Sequence, residues 1–442
     1  MEFKEIERII KEKDIDVVDI KYVDLSGKLR HVTVDPEYFK KVVEKGVGVD
    51  GSSVPGFKTV EFSDMRLKPD LDTFFIDPLR SNVLSVYGDI YLSGEDHKYE
   101  DYPRYILYKA VEYLRKKEIA DDIYMLPELE FYIFEDAEFD DSYFFMDFME
   151  SKRIKSYYHA AEPYDRLFEL RTFMVKSLQE AGIKVKYHHH EVGGLGQHEI
   201  ELAFAPALKI ADHLETAKYL LKEIARQDGF MLTYMPKPIY NEPGNGLHFH
   251  MYLIKNGTSI FYNEDHLSGL SETALYFMGG ILKHARSLSA FTNPSTNSYK
   301  RLFSGFEAPC AITYSIANRT SAIRIPGYAK GKDIDIEYRP PDATMNTYLG
   351  MAAIIMAGID GVENKIDPGD PVGEALDPSS NKFEYLPHNL EEALEELKKD
   401  NSYLTKDSVF TERVLTKWIT LKQRELREVE LRPHPYEFVI YF

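Results

Sequence analysis

The pattern of hydrophobic positions along the chain changes near residue 100. Before that point, short apolar stretches alternate with turns, which is typical of strands. Ser26-Gly27 separates two such stretches, so we predict a hairpin of residues 16–23 and 28–34. Residues 83–92 are predicted to form another strand, and residues 1–13 have the apolar spacing of an amphipathic helix.

From Pro103 onwards, long helical patterns are separated by short, strongly alternating strands. The predicted helices cover residues 103–118, 163–181, 208–227, 272–290, 344–360 and 405–428. Residues 93–98, between the two regions, are polar and typical of a linker. We therefore predict an α+β fold with a small domain at residues 1–98 and a large domain at residues 103–442.

Several strands of the large domain carry acids or imidazoles on one face and apolar side chains on the other. Side chains alternate along a strand, so Glu128 and Glu130 share a face opposite Leu129, Phe131 and Ile133. The same pattern recurs in His188-His189-His190-Glu191 with Gln197-His198-Glu199, in His248 with His250, and in Asp335 with Glu337 and Arg339. A single Glu-x-Glu strand is usually a solvated face. Its repetition favours a sheet curved around a polar channel.

The ligand types in this channel favour hard metal ions. Cys310 is the only cysteine, which excludes an internal disulfide and a multi-cysteine zinc site. Carboxylates with some imidazole suit Mg²⁺ or Mn²⁺. Because the glutamates are too many for one Mg²⁺, we expect two or three cations that share the phosphates of a nucleotide.

The charge balance limits the partners that the protein can have. The chain has 54 Lys+Arg against 73 Asp+Glu, a formal net charge of -19, which argues against nucleic acid as a partner. A local set of cations supplies donors for carboxylates and phosphates: Arg301, Arg319, Arg324, Lys332 and Arg339. No apolar run is long enough to span a membrane, and residues 1–13 lack a signal core, so we expect a cytoplasmic protein.

Over nearly the whole chain, these motifs resemble glutamine synthetases of the prokaryotic type I form. The matching motifs are Asp50-Gly51-Ser52-Ser53 with residues 61–65, and residues 237–248, 293–301 and 318–326. The resemblance implies a β-grasp-like small domain and a large catalytic domain with a curved antiparallel sheet flanked by helices. It also implies a homo-oligomer, a dodecamer of two hexameric rings with active sites between subunits. Regulation by PII-like or other small proteins is compatible with it.

The activity implied by the resemblance is ATP-dependent ligation of L-glutamate and ammonium to L-glutamine, through a γ-glutamyl phosphate, with two or three Mg²⁺ or Mn²⁺ in each active site. The implied ligands are Glu130, Glu191 and Glu199 for a first metal, and Glu128, His248 and Glu337 for a second. Residues implied to hold glutamate are Gly244, Arg301, Glu307 and Arg339, and those implied to hold ATP are His250, Arg319, Arg324 and Lys332. The implied catalytic residues are Asp50, which binds ammonium, Glu307, which closes over the site, and Arg319.

The chain departs from the family's pattern at several positions. Pro243 stands where Asn is frequent, Tyr252 where Ser is usual, and Asp335 where many members have a phosphate-facing Arg. Thr59 stands at the position of a regulatory Arg, although Arg66 is near in sequence. Phe383 lies near the place of the tyrosine that some bacterial members adenylylate, so we expect no adenylylation there, including at Tyr385.

Three alternatives remain beside the glutamate–ammonia ligase. One is a relative that joins glutamate to another amine such as a polyamine, although Asp50 and Glu307 favour ammonium. Another is a non-catalytic, ring-forming relative, but all six implied metal positions carry ligands here. A phosphoryl-transfer enzyme of the guanidino-kinase type would share the sheet but gives no reason for the motif at Asp50.

Overall fold

The computed structural model describes residues 3–94, 96–140, 144–148, 156–265, 269–302, 308–373 and 382–442. The predicted linker therefore includes one residue, at position 95, that lies outside the described ranges. Within those ranges, no helix combines the length and the apolar character needed to cross a membrane.

The small domain is a mixed sheet with a helix packed against it. Its helices are α1 (Phe3–Glu12) and α2 (Pro36–Lys45), and its strands are β1 (Val17–Val23), β2 (Leu29–Val34), β3 (Val47–Asp50), β4 (Asp64–Pro69), β5 (Phe75–Ile76) and β6 (Val83–Leu92). The order is β2-β1-β6-β4-β3, with β5 also paired to β6. β1 is antiparallel to β2, as the hairpin prediction requires, and parallel to β6. This is the predicted β-grasp-like arrangement.

Helix α2 was not predicted from the sequence, although its start carries recognisable signals. The Asp35 side chain accepts a hydrogen bond from the backbone N–H of Glu37, and Pro36 occupies the first turn. Phe39 and Val42 are buried against the sheet, so the helix closes the small core.

The large domain contains the remaining elements. The helices are α3 (Pro103–Lys116), α4 (Phe168–Glu180), α5 (Ala207–Gln227), α6 (Glu272–Lys283), α7 (Ala285–Thr292), α8 (Ser298–Arg301), α9 (Thr347–Asn364), α10 (Leu390–Lys399), α11 (Glu412–Glu430) and α12 (Pro435–Tyr441). The strands are β7 (Asp122–Phe134), β8 (Asp136–Phe139), β9 (Phe144–Asp147), β10 (Val185–His190), β11 (Gln197–Leu202), β12 (Ala205–Pro206), β13 (Met231–Thr233), β14 (Leu247–Lys255), β15 (Thr258–Ser259), β16 (Ala311–Ile316), β17 (Ser321–Ile325) and β18 (Ile336–Tyr338).

One large sheet organises this domain, in the order β10-β11-β7-β14-β18-β17-β16. The pairs along this path are antiparallel as expected, except that β16 and β17 run parallel at the edge. Helices α3 and α5 pack against β7, and the almost wholly buried α9 packs on both of them. Leu129, Phe131 and Ile133 lie in this core, so the predicted apolar face of β7 is confirmed.

Some predicted helix boundaries are wrong. The predicted helix at 272–290 is two helices, because the backbone at His284 leaves the helical conformation between α6 and α7. The predicted helix at 405–428 begins only at Glu412, where the Thr411 side chain accepts from the backbone N–H of Val414. Asp407 and Ser408 upstream have positive φ angles, which a continuous helix does not tolerate.

A buried arginine joins the two domains. Arg104, at the start of α3, donates to both oxygens of Asp212 on α5 at 2.9 Å. It also donates to Asp89 on β6 at 3.0 Å and to Asp70 of the small domain at 2.8 Å. Only 3% of its side chain is exposed. The position of the small domain on the large one therefore depends on this network.

We expect Arg104→Met to lower the free energy of unfolding by about 3–5 kcal/mol, because it leaves buried carboxylates without their cation. Urea denaturation followed by circular dichroism measures this change. Arg8→Met is the matched control, since Arg8 lies in an exposed ion pair with Glu12. Equal stability of the two variants would contradict a structural role for the buried network.

Candidate active site

Strand pairing places the acids of the large sheet side by side. Between β11 and β7, Glu199 lies opposite Glu130, and Glu201 lies opposite Glu128. Between β14 and β7, His248 lies opposite Glu128. Directly opposite residues of an antiparallel pair project to the same face. The polar faces of three neighbouring strands therefore form one surface.

The same surface continues onto the strands on both sides. His250 on β14 lies opposite Glu337 on β18, and Arg324 on β17 lies opposite Glu337 in turn. At the other edge, His189 on β10 lies opposite Glu199. The three consecutive histidines separate, as expected: His188 contacts Arg171 at 2.9 Å, while His189 lies 3.3 Å from Glu199.

The acids on this surface are largely shielded from water. A Glu-x-Glu strand usually has a solvent-exposed polar face, so this strand differs from the usual case. Burial, together with the nearby charges of Glu130 and Glu199, raises the pKa of Glu191 to about 8. Burial also holds the pKa of Glu199 well above its usual value, with Glu128 and Glu130 adding to the effect. Neighbouring carboxylates that repel in this way are a favourable place for cations.

Two histidines hold the Glu128 carboxylate. Its Oε2 lies 2.8 Å from Nδ1 of His248, and its Oε1 lies 3.0 Å from Nε2 of His250. Burial by itself would raise the pKa of Glu128, but the hydrogen bonds with the two imidazoles outweigh it and hold the pKa well below its ordinary value. His248 also reaches towards Glu130, with 3.7 Å between Nε2 and Oε1.

Three groups of side chains offer ligand atoms that lie within 4.8 Å of one another: Glu128, His250 and Glu337; His189, Glu191 and Glu199; and Glu128, Glu199 and Glu201. They share Glu128, Glu191, Glu199 and Glu337 with the predicted ligand sets. His189, His250 and Glu201 are additions, and the predicted ligands Glu130 and His248 belong to none of the three groups. All the donors are oxygen or imidazole nitrogen, and Oε2 of the buried Glu201 has no hydrogen-bond partner among the described residues. This donor set fits Mg²⁺ or Mn²⁺.

Two of the predicted arginines border the acids. Arg324 donates to Oε2 of Glu337 at 2.5 Å, and Arg339 donates to its Oε1. Burial opposes ionisation of Glu337, yet the charge of Arg339 holds its pKa at about 2. Both guanidinium groups are thus held beside the acidic surface.

Arg301 is buried and anchored by backbone carbonyls. It donates to the carbonyl of Pro340 at 2.7 Å and to that of Arg339 at 3.0 Å, and its Nη2 lies 3.3 Å from Nε2 of His248. Gly244 packs against it, because a Cβ there would lie 2.8 Å from Cγ of Arg301. These two predicted glutamate-binding residues therefore lie together, next to His248.

The remaining predicted residues do not join the buried cluster. Arg319 and Lys332 are exposed. Asp50 ends β3 in the small domain, where its carboxylate accepts from the backbone N–H of Ser52 at 2.9 Å and from Oγ of Ser53 at 2.7 Å. These hydrogen bonds lower the pKa of Asp50 to about 2. Glu307 lies outside the described residues.

Sequence reasoning missed two residues of this surface, Glu201 and Gln197. Glu201 continues the alternation Glu199-Ile200-Glu201-Leu202, a signal that could have revealed it. Gln197 donates to the carbonyl of Gly244 at 2.9 Å and thereby connects β11 to the loop before β14. Its role depends on a contact between distant segments, for which the sequence contains no signal.

Comparison with known families gives two matches that together span most of the chain. The profile described as "Glutamine synthetase, beta-Grasp domain" matches residues 14–93. The profile described as "Glutamine synthetase, catalytic domain" matches residues 100–441.

Individual relatives match over the full length. The glutamine synthetase of Frankia alni is 39% identical over 467 residues, covering 99% of this chain and 98% of that protein. The glutamine synthetase of Aquifex aeolicus is 40% identical over 462 residues, with 99% and 98% covered. The cryo-electron microscopy structure of a Plasmodium falciparum glutamine synthetase is similar with a TM-score of 0.92 at 28% identity, covering 100% of this chain and 99% of that one.

A β-grasp domain joined to a sheet with a buried acid–imidazole face defines a two-domain enzyme of the ligase class. With its catalytic-domain profile over more than half of the chain and relatives at about 40% identity, the chain belongs to the glutamine synthetase family, and it is of the prokaryotic type I kind.

If cations bind among these acids, Mn²⁺ at a concentration of 100 Kd should stabilise the folded protein by about 2.7 kcal/mol and thereby raise its thermal midpoint. Glu199→Gln removes one repelling charge and one ligand. We expect the metal-free variant to melt at or above the wild-type midpoint and to lose most of the Mn²⁺ effect. Differential scanning fluorimetry with and without Mn²⁺ measures both. Glu180→Gln, at the exposed end of α4, is the control, and full Mn²⁺ stabilisation of Glu199→Gln would refute the site.

Proposed function

We propose that this protein joins L-glutamate and ammonia to give L-glutamine, ADP and phosphate, with ATP as co-substrate. The observation that carries the proposal is the buried acid–imidazole surface, on which each of the six implied metal positions has a carboxylate or an imidazole. The full-length similarity to glutamine synthetases supports the same conclusion. A non-catalytic relative would have no reason to keep so many buried, mutually repelling carboxylates.

The reaction proceeds in two transfers. The γ-carboxylate of glutamate attacks the γ-phosphorus of ATP, which releases ADP and forms γ-glutamyl phosphate. Ammonium then gives a proton to Asp50, the acceptor that the resemblance implies, and the resulting ammonia attacks the acyl carbon and expels phosphate. Mg²⁺ or Mn²⁺, two or three in each site, would neutralise phosphate charge when bound at the Glu130, Glu191 and Glu199 set and at the Glu128, His248 and Glu337 set.

The chain's own residues position the reactants around this surface. Arg301, Arg339 and the backbone at Gly244 are suited to hold the carboxylates of glutamate, because Arg301 and Gly244 pack together beside His248. Arg324 borders the acids at Glu337 and is suited to bind phosphate oxygens. The exposed Arg319 and Lys332 would complete the ATP contacts, with Arg319 stabilising the transferred phosphoryl group.

Ammonium requires an acidic pocket and a proton acceptor. Asp50 lies in the small domain, so we propose that it acts at an active site shared between subunits, as the resemblance implies. Its low pKa keeps it ionised and able to bind a cation. Glu307 would close over the site and keep water from the acyl phosphate, a role that rests on the resemblance alone.

The assembly that this requires is a homo-oligomer, which we propose to be a dodecamer of two hexameric rings. An apolar surface at α12 supports association: Tyr436, Phe438, Val439, Ile440 and Tyr441 are each more than half exposed. Adjacent exposed apolar residues of this kind usually mark an interface. We further propose a domain division between residues 98 and 103 and a cytoplasmic location.

We also propose that the protein is not adenylylated, since Phe383 occupies the corresponding region and Tyr385 is half-buried. Glutamine feedback and regulation by PII-like or other small proteins are open to direct assay.

Activity is tested by Mg²⁺-dependent release of ADP with glutamate and ammonium, then with a panel of amines that includes polyamines. We expect turnover with ammonium and at most slow turnover with the amines. A rate of ADP release that does not depend on ammonium but increases with polyamine concentration would instead identify a glutamate–amine ligase.

In the same assay, Glu130→Ala should reduce kcat by at least about a hundredfold, because a buried metal ligand is lost. Light scattering should give the wild-type mass for this variant. Glu180→Ala serves as the control on an exposed position. Activity of Glu130→Ala near the wild-type rate would remove Glu130 from the catalytic site.

For the assembly, the double variant Phe438→Asp with Ile440→Asp should give a smaller particle in size-exclusion chromatography with light scattering, because charge opposes burial of the apolar α12 surface. Phe139→Asp, at an exposed apolar position on β8, is the matched control and should keep the wild-type mass. An unchanged mass for the double variant would exclude α12 from the subunit contacts.

A further inference from the structure

The His250 ring is held by a carboxylate at each nitrogen. Its Nδ1 lies 2.8 Å from Oδ1 of Asp335, and its Nε2 lies 3.0 Å from Oε1 of Glu128. His250 and Asp335 are both buried. A carboxylate accepts hydrogen bonds, so both ring nitrogens are used as donors towards the protein. An atom of a nucleotide could bond to this ring only by displacing one of them.

The contact continues through Glu128 to a second histidine. Oε2 of Glu128 lies 2.8 Å from Nδ1 of His248, so both oxygens of this carboxylate have an imidazole partner. Asp335, His250, Glu128 and His248 thus form one chain of hydrogen bonds across the segment before β18, strand β14 and strand β7. Asp335 lies at one end of this series of hydrogen bonds, where it orients the His250 ring.

The identity of residue 335 decides whether this series of hydrogen bonds can form. An arginine at this position would offer only donors and could not accept from Nδ1 of His250. Asp335 offers an acceptor, and the backbone places it two residues before Glu337, which lies opposite His250 in the sheet. The contact with Nδ1 of His250 therefore needs an accepting side-chain oxygen at position 335.

We propose that Asp335 is a positioning residue: it fixes the His250 ring so that the ring holds Glu128 in the orientation that binds a cation. The proposal rests on the assignment of Glu128 as a metal ligand under the proposed function. It replaces the predicted ATP contact of His250 with a role in the metal site. Groups that orient metal ligands in this way typically contribute 10–100-fold in metal affinity.

The test measures Mn²⁺ binding to the nucleotide-free protein by electron paramagnetic resonance, with Asp335→Ala, Asp335→Asn and wild type. We expect Asp335→Ala to weaken one class of Mn²⁺ sites by about tenfold or more. Asp335→Asn keeps an oxygen that accepts from Nδ1 of His250, so its loss should be clearly smaller. Asp333→Ala, at an exposed position on the preceding turn, should bind Mn²⁺ as the wild type does.

Kinetics separate this role from a nucleotide contact. For Asp335→Ala, the Mg²⁺ concentration that gives half-maximal rate should rise, while KM for ATP at saturating Mg²⁺ stays within about twofold of wild type. Unchanged Mn²⁺ binding together with a raised KM for ATP would overturn the proposal in favour of a nucleotide contact. Equal losses in Asp335→Ala and Asp335→Asn would also overturn it, because the acceptor oxygen would then be irrelevant.

Thermal midpoints of the metal-free variants show whether each variant is folded. If Asp335→Ala does not fold, the comparison of Asp335→Asn with wild type tests the proposal. The Mn²⁺ measurement needs no turnover. A wild-type protein that binds Mn²⁺ but makes no glutamine would refute the proposed function and leave the role of Asp335 intact. Wild-type protein without a tight Mn²⁺ site would refute the role of Asp335.

Discussion

The catalytic sheet depends on a balance between buried negative charge and the groups that oppose it. Glu128, Glu130, Glu199, Glu201 and Glu337 project from neighbouring strands onto one face that is largely shielded from water. Buried carboxylates repel one another and lose their hydration, so this face is unfavourable by itself. It persists because the opposite face of the same strands belongs to a continuous apolar core beneath α3, α5 and α9.

The opposing charges are distributed unevenly over the surface. Around Glu128 and Glu337, the side chains of His248, His250, Arg324 and Arg339 supply internal partners, and the pKa values of both acids are lowered. Around Glu191 and Glu199, burial and mutual repulsion raise the pKa values instead. The surroundings of Glu128 and Glu337 are thus stabilised by hydrogen bonds within the protein. A bound cation would stabilise the surroundings of Glu191 and Glu199 more strongly, because no cation among the described residues offsets their charge repulsion to the same extent.

The two domains contribute to function in different ways. The large domain holds the acids, imidazoles and buried arginines, while the small domain presents Asp50 at an exposed position. Arg104 holds the small domain against α5 through buried carboxylates on both sides. This fixed attachment, together with the exposed apolar surface of α12, is compatible with active sites that are completed between subunits.

The sequence by itself determined which residues form strands and which face of each strand is polar, because alternation follows directly from strand geometry. It thereby predicted the acids of β7, β11 and β18 and the histidines of β14, and the similarity of its motifs indicated the family. It could not show that Glu201 lies opposite Glu128, that Gln197 reaches Gly244, or that Asp335 contacts His250. Each of these contacts joins segments far apart in sequence, and only the packing of the whole sheet decides their register.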